Sequence, residues 1–213
     1  MGLRLGIVVL LGLSAVLPAH AQDGDLDRAW RALEQGDSDQ ATRFASAALR
    51  DSSLEVADVA AAYNLRGMAA MRRDDFGGAR ADFALAAALA PRFAAAHTNK
   101  GLASAKLEDY AAAIEAFSRA LDLVPGAPEV LFMRGNAHFD KGEFAAAEDY
   151  GKAAAGNPKH WAALANRCDA LGRLGRIDEA KAECGKARAV APDPGAVDRI
   201  EQALGQPCDC ASR

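Results

Sequence analysis

The chain has 213 residues and a formal net charge of -4, and no basic stripe of the kind that tracks a phosphate backbone, so nucleic acid is not an expected partner. Hydrophobic residues make up 51% but aromatics only 6%. Much of the apolar fraction is alanine, the best helix former, and alternating Val/Ile/Thr segments are absent, so the composition predicts an all-α fold.

The first element in chain order is a leader. In "MGLRLGIVVLLGLSAVLPAHAQDGD" one positive residue, Arg4, precedes an apolar run from Leu5 to Leu17 that ends in Ala19-His20-Ala21. This pattern predicts a cleavable secretory signal over residues 1–21, cut after Ala21, with a mature chain from Gln22 that is periplasmic or secreted. The apolar run is short for a span of ~20 residues. No cysteine sits at the cut to carry a lipid, and no second hydrophobic span follows.

Beyond the leader the chain repeats. Gly101, Tyr110, Ala113, Phe117, Ala120 and Pro125 have counterparts 34 residues earlier in Gly67, Phe76, Ala79, Phe83, Ala86 and Pro91. Later come Gly135, Phe144 and Ala147, then a slip of one residue to Tyr150, Ala153 and Pro158, then Ala180, Cys184, Ala187 and Pro192. The units run over about 24–52, 60–93, 94–127, 128–160 and 161–194. The first is degenerate: Gly36, Ala41 and Ala48 hold landmark positions, no proline closes it, and an insertion falls in Asp51–Asp58. The fourth lacks one residue in its second helix, and the fifth has Cys168 in place of glycine.

Each unit reads as two helices joined by an Asp/Gly turn. The small landmarks fall where helices approach closely. Phe117 and Tyr110 are expected to fill the gap between neighbouring hairpins. Asp109 is placed to cap the second helix, and Pro125 to end it. One hairpin cannot bury its apolar face alone, but a stack can. A last helix over about 195–205, with Asp198, Arg199, Glu201 and Gln202 as a polar outer side, suits a cap; residues 207–213 form a cysteine-containing tail.

The period and the small, aromatic and proline landmarks resemble the tetratricopeptide repeat, well over 60–194 and more weakly before. The resemblance implies a right-handed α-solenoid of about five hairpins over 22–206 whose first helices line a concave groove. By register that face carries Asn64, Met68 and Arg72; Thr98, Leu102 and Lys106; Phe132, Asn136 and Asp140; and Ala165, Asp169 and Arg173. Asparagine amides there could hydrogen-bond a peptide backbone, and Phe132 with Phe139 could receive an apolar anchor. Some members of the family grip a partner's C-terminal carboxylates with a Lys/Asn/Arg set, which this sequence does not reproduce.

No catalytic constellation accompanies the repeats. His97, His138 and His160 are scattered among units without metal-ligand spacing, and no nucleophile elbow or phosphate loop is present. "DFGGAR" (Asp75–Arg80) sits at a helix junction without the other kinase motifs. Neither an enzyme nor a cofactor is expected. Four cysteines in an oxidising compartment favour disulfides. Cys168 and Cys184 fall at the same height on the two helices of the fifth unit, so a bridge or two buried thiols fit there. Cys208 and Cys210 could bridge each other, bind a soft metal, cross-link chains or reach back to the fifth unit; a structural staple is preferred to a redox or metal role. The expected function is an interaction module for a peptide or protein partner. A self-assembling scaffold, which concentration-dependent sedimentation would reveal, is the alternative.

Overall fold

The computed structural model describes residues 24–204; the leader with its cut at Ala21, Cys208 and Cys210 lie outside the described residues. Eleven helices and no strand occur among the described residues: α1 (Asp25–Glu34), α2 (Ser38–Ala48), α3 (Val56–Arg72), α4 (Phe76–Leu89), α5 (Ala94–Lys106), α6 (Tyr110–Leu123), α7 (Pro128–Asp140), α8 (Ala145–Gly156), α9 (Trp161–Arg173), α10 (Ile177–Val190) and α11 (Pro194–Ala203). They group into two compact units, α1–α6 up to Val124 and α7–α11 from Pro125. Among the described residues no helix is long and apolar enough to cross a membrane.

All five hairpins turn in the same way. Gly36, Asp74, Glu108, Gly142 and Gly175, one in each turn, take a positive φ, a conformation glycine adopts without penalty and other residues rarely do. The next residue's N–H then reaches back to a carbonyl of the first helix, as in Asp37 to Ala32 (2.8 Å) and Asp109 to Ser104 (3.0 Å). This closes the first helix by satisfying an end carbonyl. Asp37, Asp75 and Asp109 go on to cap α2, α4 and α6, accepting from the N–H groups of Gln40, Gly78 and Ala112. The expected cap at Asp109 is therefore formed, and α6 stops at Leu123, two residues short of Pro125.

Within each hairpin one pair of positions sets the approach of the two helices. A Cβ added at Gly67 would lie 2.7 Å from the Phe83 ring, at Gly101 2.6 Å from Phe117, and at Gly135 2.8 Å from Tyr150. The aromatic side chain thus fills the space opposite the glycine of its own hairpin, whereas the sequence suggested a place between hairpins. The corresponding residues are Ala29 and Ala45 in the first hairpin, both fully buried. In the fifth they are Cys168 and Cys184, joined by a disulfide with a Cα–Cα distance of 5.3 Å.

A polar pair recurs one residue before each landmark. Arg66 donates to both carboxylate oxygens of Asp82 (2.8 and 2.7 Å) and Arg134 to both of Asp149 (2.7 Å each). Arg167 lies 3.3 Å from Glu183. The third hairpin has Lys100 and Ala116 there instead, and in the first Arg28 stands over the Phe44 ring at 5.9 Å.

Two local expectations change. The missing residue of the fourth hairpin shortens α8 to 12 residues against 14 in α4, α6 and α10. Phe144 falls just before the helix and is 77% exposed, so this landmark packs less than its partly buried counterparts Phe76 and Tyr110. In α11, Asp198 (2.7 Å) and Glu201 turn back to the Arg188 guanidinium of α10, while Arg199 and Gln202 stay exposed. Half of the polar side expected to face solvent is spent fastening the last helix.

Candidate functional site

The two units present their first helices differently, and the difference decides which side chains can meet a partner. In the unit α1–α6 the register residues largely face inward. Asn64 is fully buried, its Nδ2 donating to Met68 Sδ (3.5 Å) and its Oδ1 accepting from Asn99 Nδ2 (3.0 Å). Thr98 is buried as well, its hydroxyl donating to the Ala94 carbonyl (3.0 Å), and so is Met68. The Asn99–Asn64 bond ties α5 to α3, and the buried groups have no surface to offer. Arg72 is partly buried and donates to the Leu33 carbonyl, tying α3 to α1. Leu102 is partly exposed and Lys106 exposed.

In the unit α7–α11 the register gathers an accessible cluster. Phe132, Asn136, Phe139 and Asp169 are partly exposed, Asp140 and Arg173 are exposed, and only Ala165 is buried. The Phe132 ring centroid lies 4.6 Å from His160 and 5.8 Å from Tyr150, which is itself 6.5 Å from Phe139. Arg173 stacks its guanidinium 4.2 Å from the Phe139 centroid and pairs with Asp169 (3.2 Å). A cation over a ring face is attracted by the ring quadrupole, so Phe139, Asp169 and Arg173 hold one another in place.

Buried Tyr150 supports this cluster from below. Its hydroxyl donates to Asn136 Oδ1 (2.8 Å), which also accepts from Asn166 Nδ2 (3.1 Å). Burial drives the Tyr150 pKa upward, which favours the protonated phenol that donates here. With its oxygen doubly engaged, Asn136 has its Nδ2 hydrogens to present. The sequence reading singled out Asn136 and both phenylalanines, but it used Tyr150 only as a repeat landmark and passed over Asn99 and Asn166. Both follow directly on register positions, Thr98 and Ala165, and that adjacency was the available signal.

His160 sets where α9 begins. Its Nδ1 accepts the Ala163 N–H (3.2 Å) at the helix start, which requires a neutral ring protonated on Nε2. Burial lowers its pKa below the ordinary 6.5, with Glu129 opposing through a smaller effect. Because the folded value lies below the unfolded one, the stabilisation is complete above pH 6.5 and is lost as the pH falls through the folded value. His160→Asn keeps a capping acceptor that does not titrate, so the α7–α11 unit of this variant should lose less stability between pH 7 and 5 than wild type. Paired melting curves at the two pH values check this.

The polar residues elsewhere build turns and hairpins. Lys141 and His138 hold the Glu143 carboxyl below its usual pKa range at the α7–α8 turn. Shallow depressions lie at the α1–α2 turn, around Gln35, Asp37 and Arg73, and beside Phe44. They are lined mainly by capping and charged residues, not by an apolar anchor site. No group of three or more His, Cys, Asp or Glu side chains suited to a metal occurs among the described residues.

The hairpin geometry agrees with what is known of other chains. The family model for the tetratricopeptide repeat matches residues 26–94, 64–128, 98–162 and 132–197. No curated protein matches the chain. Among solved structures, a MamA protein shares 24% identity over 78% of this chain and 89% of its own, with a TM-score of 0.70. YrrB, described as a TPR protein with an unusual peptide-binding site, shares 20% over 84% and 90%, with a TM-score of 0.73. MamA from Desulfovibrio magneticus RS-1 shares 17% over 78% and 92%, with a TM-score of 0.70. Identities this low speak for a shared fold and nothing finer. With the repeat matched through both units, and with five hairpins built on one turn and one closest-approach position, the chain belongs to the tetratricopeptide repeat family.

Proposed function

We propose that the chain is a non-enzymatic interaction module that holds a peptide or protein partner on the face carried by its first helices, and that it acts in the cell envelope. The observation that carries this reading is the cluster on α7 and α9. Two aromatic rings, a stacked arginine and an asparagine amide lie together and accessible, with the asparagine oxygen held by Tyr150 and Asn166. Aromatic and arginine side chains held in one geometry are what interfaces use as anchors, because little ordering entropy is spent on association. The envelope location rests on the secretory pattern ending at Ala21 and on the Cys168–Cys184 bond, which persists in oxidising compartments.

The test uses the two most exposed members of the set. Asp140→Ala with Arg173→Ala removes a surface charge and the cation over Phe139 without opening the core. Affinity for a peptide selected against the wild-type protein should fall about tenfold or more, with the melting temperature nearly unchanged. Unaltered affinity would remove this face from consideration.

A further inference from the structure

The second helices of the five hairpins are not attached in the same way. α4, α6 and α8 each press an aromatic side chain, Phe83, Phe117 or Tyr150, against the first helix opposite a glycine. The α1–α2 hairpin has the smaller Ala29 and Ala45 at that position, but Phe44 and Trp30 pack against its core. α10 has no aromatic residue, and its buried residues are Ala180, Glu183, Cys184 and Ala187. Three of these are small and the fourth is a carboxylate.

That carboxylate holds the hairpin poorly. Arg66 and Arg134 grip their aspartates with two hydrogen bonds each, whereas Glu183 meets Arg167 at 3.3 Å and leaves its Oε2 buried without a partner. Arg167 Nε is likewise buried and unsatisfied. A buried polar atom with no hydrogen bond works against the folded state. The non-covalent attachment of α10 to α9 therefore has no aromatic contact and only a weakened form of the polar pair that α3–α4 and α7–α8 carry. What stands at the closest-approach position is the Cys168–Cys184 bond, with both residues fully buried.

We propose that this disulfide replaces the glycine–aromatic contact of the three preceding hairpins, so that α9 and α10 assemble stably only once the two thiols are oxidised. In forming it, the Cys168 and Cys184 thiols give up two protons and two electrons to an incoming disulfide, from an oxidised dithiol protein or glutathione disulfide. That disulfide's S–S bond breaks as the new one forms, and it leaves as two thiols. The device makes completion of the fifth hairpin conditional on an oxidising compartment. α11, which lies against α9 and α10 through Leu204 beside Gly172 and through Arg188, depends on it in turn.

The experiment uses the full chain carrying Cys208→Ser and Cys210→Ser, so that redox conditions act on this pair alone. The chain is refolded from the reduced, denatured state with glutathione disulfide or with a reductant, and amide hydrogen exchange is followed by segment. With oxidant, α9–α11 should be protected. With reductant, that protection should be lost while α3–α6 keep theirs, and Tm should fall by roughly 6–12 °C. Equal protection of α9–α11 in both conditions would overturn the proposal. Cys168→Gly with Cys184→Phe installs the pair found at Gly67/Phe83 and should protect α9–α11 whatever the redox condition. If this variant exchanges as fast as Cys168→Ala with Cys184→Ala, the equivalence of bond and aromatic contact is refuted.

Discussion

Phe117→Ala should destabilise the unit ending at Val124 by about 3–5 kcal/mol, the range for removing a fully packed aromatic side chain. The ring is 1% exposed and occupies the space left by Gly101, so truncation empties the closest approach of α5 and α6. The reciprocal change, Gly101→Ala, places a Cβ about where the ring already is, 2.6 Å from its nearest carbon. Overpacking of this kind costs about 1–3 kcal/mol. Combining Gly101→Ala with Phe117→Leu should recover part of the loss of Gly101→Ala alone, because the smaller side chain yields the clearance. Urea unfolding of these variants, with Phe117→Leu alone to complete the cycle, measures these differences. Additive losses in the double variant would show that the two positions do not share one space.

Arg134→Met should be about as damaging, by about 3–5 kcal/mol, for an electrostatic reason. Asp149 has a side-chain exposure of 4%, and its partner donates through both Nε and Nη2. Without the guanidinium a carboxylate stays buried, with His138 Nε2 at 3.9 Å as its nearest other basic group. The cost lies in the stranded charge more than in the lost attraction. Replacing both partners, Arg134→Met with Asp149→Leu, should therefore restore most of the stability, since apolar residues of similar size commonly match a buried ion pair. Denaturant midpoints of the single and double variants decide between these accounts. A double variant as unstable as the single one would mean that the geometry of the pair, and not desolvation, holds α7 to α8.

Much of this architecture was legible in the amino-acid sequence because its grammar is spacing. Gly67, Gly101 and Gly135 mark the closest approach in three hairpins, whereas the place of Phe83, Phe117 and Tyr150 opposite them, inside the hairpin, is not written in the spacing. Asp109 and Pro125 mark where a second helix starts and stops. The pairs Arg66–Asp82, Arg134–Asp149 and Arg167–Glu183 were written just as plainly, one residue before each landmark, and went unread because charged residues suggest surface. The candidate face was less legible. A repeat register says which side of a helix a residue occupies, but not whether the next hairpin covers it. Asn64, Met68 and Thr98 share register positions with Phe132 and Asn136, yet they are buried while the latter two are partly exposed. A bond from the next first helix does not decide it either, since Asn99 reaches Asn64 and Asn166 reaches Asn136, and only Asn64 is buried.

The proposed surface that meets a partner is the one on α7 and α9. The most direct measurement places a photo-crosslinking residue at Asp140 or Arg173 in one set of variants and at Lys181, exposed on the second helix α10, in another, each in the protein's native compartment. One recurrent crosslinked species is expected from positions 140 and 173 and none from 181. The same species captured from Lys181 with nothing from Asp140 and Arg173 would contradict the proposed surface.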